Sequence, residues 1–168
     1  KVAIVGTGEL EDELKALCAE LKIQENVHFL GFQSNPIKMV HDTKAMILTS
    51  RWEGTPMCAL EAMCLGTPIV STPSDGMKDI VEDGVSGYLS DDDEVMAEKL
   101  LKIMNDPEHR QMLSENTMKK FAETFWYLYK TEEEFKNKVL SSGFVNLHTH
   151  SPMTLLRGYA ENLPLDRW

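Results

Sequence analysis

Two glutamates, Glu53 and Glu61, stand with seven residues between them in the stretch EGTPMCALEAMCLGTPIVST, residues 53–72. Glu61 is the single charged side chain in the apolar run from Met57 to Leu65. Removing a carboxylate from water costs several kcal/mol unless something hydrogen-bonds to it. An ionised carboxylate only accepts hydrogen bonds, so it can take both hydroxyl protons of a cis-diol such as a ribose. The other solution is a buried ion pair with a residue such as Arg51, and spacing alone leaves both open. Glu53 precedes Gly54 in a predicted strand-to-helix loop, where groups that touch ligands concentrate. A solvated turn carboxylate is its bland alternative.

The elements that would position these two acids are readable. Thr55 suits an N-cap, Pro56 a first helical turn and Gly66 the C′ position, with Pro68 blocking continuation, which predicts a helix of about ten residues. That helix follows the strand-like "AMILTS", so its N-terminus faces the carboxyl edge of a parallel sheet, where such sheets bind ligands. Free N–H groups and the helix dipole favour an anion such as phosphate there. Glu61 would then sit roughly 7–8 Å behind the anion, at 1.5 Å per residue.

Around this unit, short β-branched runs alternate with helical patterns: Val2 to Val5, a helix from about Glu9 to Leu21, "NVHFLGF", a short helix near Ile37 to His41, "AMILTS", "TPIVST", a short helix in "GMKDIVEDG", and "GYL". This order predicts an α/β chain, a Rossmann-like parallel sheet with helices on both faces. From about Asp91 to Leu140 the pattern turns wholly helical, with a break at Pro107. Gly6-Thr7-Gly8 lacks the third glycine of a dinucleotide loop and reads as a sharp turn that lets a ligand approach the backbone. Asp91-Asp92-Asp93 reads as helix capping, not as a metal site.

Composition narrows the partners. The 168 residues carry 17 Lys plus Arg against 27 Asp plus Glu, a net charge of −10 that disfavours nucleic acid and anionic lipid. No apolar run reaches the roughly 18–20 residues that span a bilayer. The 3 cysteines, Cys18, Cys58 and Cys64, show no metal-ligand spacing and argue against a disulfide framework, which predicts a cytoplasmic location. The abrupt opening strand "KVAIVGTGE" hints at a fragment whose natural protein continues upstream.

The segment "SRWEGTPMCALEAMCLGTPIVST" resembles the donor-site signature of family 4 glycosyltransferases, two glutamates separated by seven residues and followed by a G-x-P-V/I-V strand. "VGTGELEDELKALCAELKIQENVHFLGF" and "GMKDIVEDGVSGYL" resemble the units before and after it, so the likeness covers about residues 1–140. It implies the C-terminal half of a GT-B fold, with residues 1–141 as a nucleotide-sugar-binding Rossmann-like domain for retaining transfer. Carried over by position, Glu53 would be the catalytic-site contact to donor-sugar hydroxyls. Gly54, Thr55, Pro56 and Met57 would approach the sugar and diphosphate, Glu61 would hold the ribose hydroxyls, and Gly8 and Phe32 would line the donor site. The family's chemistry is placement and stabilisation of a leaving diphosphate with no obligatory metal or other cofactor, the nucleotide-diphosphate sugar being substrate. The family's basic pair and its N-terminal acceptor-binding domain are absent from this chain. The expectation is therefore weak nucleotide binding and no turnover by this polypeptide alone.

The tail changes character near residues 141–143. "GFVNLHTHSPMTLLRGYAENLPLDRW" resembles the first-strand segment of adenosine-type deaminases of the amidohydrolase class, in which His148 and His150 would be metal ligands. The other ligands of such a barrel come from later strands, so residues 142–168 read as a foreign or partly disordered tail. Two rival functions follow: a non-catalytic structural module of the same fold, and a metal-dependent amidohydrolase fragment acting through the tail.

Overall fold

Ile69–Ser71, a strand whose three residues are all buried, marks the middle of the larger sheet. In the computed structural model, which describes residues 1–136, the order is β1 (Val2–Ile4), α1 (Glu11–Glu20), β2 (Val27–Phe29), α2 (Ile37–Asp42), β3 (Met46–Leu48), α3 (Met57–Cys64), β4 (Ile69–Ser71), α4 (Asp75–Ile80), β5 (Gly87–Leu89), α5 (Asp93–Asn105) and α6 (Pro107–Lys136). Every strand pairing among the described residues is parallel, as the alternation of strands and helices predicted. The tail with His148 and His150, and the side chains of Phe125, Trp126 and Tyr127, lie outside the described residues.

The described chain divides into two compact units, residues 1–39 and a second beginning at Val40. In the first, β1 pairs with β2 in the register Val2↔Val27, Ala3↔His28 and Ile4↔Phe29. The Lys15 ammonium of α1 bonds Glu11 at 2.6 Å and sits 5.6 Å from the centre of the Phe29 ring. No residue of this unit is buried.

The second unit holds the core. Its sheet has the order β3-β4-β5, with Met46↔Ile69 and Val70↔Tyr88 among the aligned pairs. Successive side chains of a strand point to opposite faces, and β4 shows the result. Ile69 packs with Ala59, Ala62 and Met63 of α3 and Met77 and Ile80 of α4, whereas Val70 packs with Tyr88, Met96 and Ile103 of α5 and Leu113 of α6. Helices therefore cover both faces, which is why all three residues of β4 are buried.

Side chains lock this arrangement. The Asp92 carboxylate caps α5, accepting from Glu94 N at 2.8 Å and Val95 N at 3.2 Å. The Thr117 hydroxyl of α6 donates to the Ser86 carbonyl beside β5. Tyr88 Oη shares a hydrogen bond of 2.8 Å with His109 Nε2.

The elements depart from expectation in detail. The first long helix starts at Glu11, because residues 9 and 10 form a turn in which Glu11 N donates to Gly8 O at 3.2 Å. Pro107 begins α6, where its missing N–H costs nothing.

Candidate functional site

The loop leaving β3 carries Arg51 to Thr55 and leads into α3. Its base is stitched to the neighbouring strand: Thr72 N donates to Leu48 O at 3.0 Å, and the Thr72 hydroxyl donates to the Ser50 carbonyl. The loop between β4 and α4 rises beside it. The two loops enclose an open cleft of about 420 Å³ lined by Arg51, Trp52, Glu53, Gly54, Pro73, Ser74, Asp75 and Lys78. This is the carboxyl edge of the parallel strands, where the N-terminus of the helix after β3 was expected to face.

Cap assignment differs from the sequence reading. Thr55 is not the N-cap of α3 and Pro56 is not its first helical residue. Pro56 is itself the N-cap, extended at φ −72 and ψ 126, and its carbonyl accepts from Ala59 N at 3.1 Å and Leu60 N at 3.3 Å. Proline fixes φ but leaves ψ free, and the extended ψ of Pro56 keeps it out of the helix, so the first helical residue is Met57. The far end agrees with expectation. Gly66 adopts φ +70, with Gly66 N to Met63 O at 3.1 Å and Thr67 N to Ala62 O at 2.8 Å, the Schellman pattern.

Of the site residues read from sequence, Glu53 and Gly54 line the cleft, whereas Thr55, Pro56, Met57 and Glu61 do not. Gly8 and Phe32 belong to the first unit, where Phe32 is 78% exposed. Glu61 is half-buried on α3, and burial raises its carboxyl above the ordinary value of 4.5. Its carboxylate makes no hydrogen bond or ion pair among the described residues, so the alternative pairing with Arg51 does not occur there. One turn earlier, burial likewise raises the Cys58 thiol above its ordinary value, opposed by the Ala59 and Cys58 N–H groups.

Sequence reasoning missed Ser74, Gly76 and Lys78. Ser74 is 92% buried by its 8% exposure, and its hydroxyl has no partner among the described residues. The Lys78 ammonium lies 3.5 Å from Asp75 Oδ1 across one turn of α4. Gly76 N donates to the Glu53 carbonyl at 3.3 Å. A signal for Gly76 was present: a glycine in the first turn of a predicted helix costs about 1 kcal/mol against alanine and calls for a packing reason. No group of three metal-ligating side chains occurs among the described residues, nor is any described helix long and apolar enough to cross a membrane.

The arrangement resembles known proteins. The chain is 29% identical over 129 residues to the poly(ribitol-phosphate) α-N-acetylglucosaminyltransferase of Staphylococcus aureus, covering 73% of this chain and 26% of that protein. Among solved structures, S. aureus TarM superposes with a TM-score of 0.73 at 25% identity, covering 80% of this chain and 28% of that one. Anabaena HepE in complex with UDP-glucose superposes with a TM-score of 0.72 at 22% identity, covering 82% and 40% respectively. The chain spans a third or less of the length of the curated relatives it matches. The structural neighbours are GT-B glycosyltransferases and share its Rossmann-like α/β architecture. The family described as glycosyl transferases group 1 matches residues 1–120, and the chain belongs to that family.

Proposed function

We propose that this chain supplies the donor half of a retaining glycosyltransferase, holding a nucleotide-diphosphate sugar through α3 and the loop before it. Glu61 accepts both ribose hydroxyls, the N-terminal turn of α3 faces the diphosphate, and Glu53 contacts the donor sugar from the cleft. The reaction needs no metal in this reading, because orientation and stabilisation of the leaving diphosphate carry it. Because the chain spans a third or less of its curated relatives, this reading leaves acceptor binding to another part of the protein, with the polypeptide alone binding donor weakly and turning nothing over. The reading also keeps the cytoplasmic setting that the cysteine usage suggested.

The observation that carries this reading is Glu61 itself. A carboxylate kept half-buried on an apolar helix, with its pKa raised by burial and no side-chain hydrogen bond or ion pair among the described residues, gains no protein contact for the cost of its burial. A ribose diol would satisfy it. Lost hydrogen bonds to a charged group cost about 1.5–3 kcal/mol, roughly tenfold or more in affinity.

Because HepE binds UDP-glucose in the same fold, UDP and UDP-glucose are the probes. Amide shifts of the labelled chain titrated with UDP should move from Met57 to Glu61, and Glu61→Ala should weaken UDP at least tenfold. Unchanged UDP affinity in Glu61→Ala, or shifts confined to elements other than α3, would refute the assignment.

A further inference from the structure

Gly76 stands in the first turn of α4 with a φ outside the left-handed region, so backbone conformation does not demand glycine there. Helix propensity argues against it, since glycine is the poorest helix former after proline. Space is the remaining reason, and the geometry is severe. A Cβ on Gly76 would lie 1.6 Å from the Gly54 carbonyl oxygen, 2.2 Å from the Gly54 carbonyl carbon and 2.7 Å from Thr55 N. All three are backbone atoms of the Glu53–Thr55 loop, which cannot turn aside as a side chain could. The contact is also bonded, through Gly76 N to the Glu53 carbonyl at 3.3 Å. Nothing comparable constrains Gly54, around whose own missing Cβ there is open space.

We infer that Gly76 is a positioning residue for the sugar subsite: by lacking a Cβ it lets the Glu53–Thr55 backbone rest directly on α4, which fixes where Glu53 stands in the cleft. Any side chain at position 76 displaces that loop and moves Glu53 while leaving Glu61, on the far side of the Pro56 cap, in place. Gly76 thus acts on recognition of the sugar and not of the nucleotide. This rests on the reading of Glu53 as the donor-sugar contact.

The test compares affinities for UDP and UDP-glucose in the wild-type chain, Glu53→Ala, Gly76→Ala and the double variant. The ratio of the two dissociation constants isolates the contribution of the sugar. Gly76→Ala should lose at least fivefold in preference for UDP-glucose and keep UDP affinity within twofold, and adding it to Glu53→Ala should change nothing further. A Gly76→Ala chain that retains the wild-type preference, or that weakens UDP as much as UDP-glucose, overturns the inference, because a merely structural role would not separate the two ligands. A wild-type chain with no preference, or a Glu53→Ala chain that keeps it, instead sinks the reading of Glu53 and this inference with it. Should Gly76→Ala fail to fold, hydrogen exchange of the wild-type Gly76 amide decides. UDP-glucose should slow it about tenfold more than UDP does, and equal rates would overturn the proposal.

Discussion

The two units end a helix in the same way and with different residues. After α1, Lys22 N donates to Ala19 O at 3.1 Å and Ile23 N to Cys18 O at 2.9 Å, the same Schellman pair that follows α3. The left-handed position is Lys22 at φ 56 in the first unit and Gly66 at φ 70 in the second. A Cβ on Gly66 would meet Ser114 Oγ of α6 at 2.7 Å, so packing reinforces the conformational demand. The units differ throughout in this sense. The leucines of α1, Leu14 and Leu17, and Leu10 and Leu21 beside it, are 43–60% exposed, whereas Met63, Ile69, Val70, Ile103 and Leu113 are fully buried. Two strands and one helix do not enclose a core, while a sheet covered on both faces does. Backbone pattern alone does not bury a segment; cover on both faces does.

Core truncation is the strongest way to break that contrast. Ile69→Ala should cost about 2–5 kcal/mol in urea unfolding, whereas Leu14→Ala should cost no more than about 0.5 kcal/mol. Comparable losses would show that the first unit is as tightly held as the second. The helix ends sharpen it next. Gly66→Ala should lose at least about 1–2 kcal/mol from strain alone, whereas Lys22→Gly should be neutral or gain up to about 1 kcal/mol, both read from thermal unfolding. Asp92→Ala, which removes the α5 cap, should cost about 1 kcal/mol in the second unit and leave amide exchange in β1 and β2 unchanged.

The smallest effect concerns Glu61. Its folded-state pKa is raised by burial, so the folded chain holds that proton more tightly than the unfolded one. Its ionisation therefore lowers stability as pH rises from the ordinary glutamate value of 4.5 through the raised one. Glu61→Gln should be slightly more stable than wild type at neutral pH, and the difference should vanish at lower pH. A stability loss at neutral pH would mean that the carboxylate has a favourable partner in the fold.

Much of this was legible in the sequence because strands and helices announce themselves by period. The βαβ order, the Schellman stop at Gly66 and the role of Asp92 as a cap all rest on local chemistry. What stayed hidden depends on contacts distant in sequence. Thr55 looked like a cap because it is a good one in isolation, yet the extended ψ of Pro56 puts the helix start one residue later. Gly76 sat inside a pattern read simply as helix, and its neighbour in space is Gly54, 22 positions earlier. The exposure of the α1 leucines was likewise invisible, since an amphipathic stripe states which face wants burial but not whether anything covers it. Glu53 and Glu61 were found by spacing, and only coordinates could show that one lines the cleft and the other does not.

The hydroxyl tie from Thr72 to Ser50 has a thermodynamic consequence for whatever enters the cleft. It joins the ends of β3 and β4 beneath both loops, so the floor is ordered before a guest arrives. Entropy lost on association then falls on the rim, above all on Trp52, a residue that is 89% exposed. Affinity at this edge should respond more to stiffening that indole than to any further bracing of the strands below it.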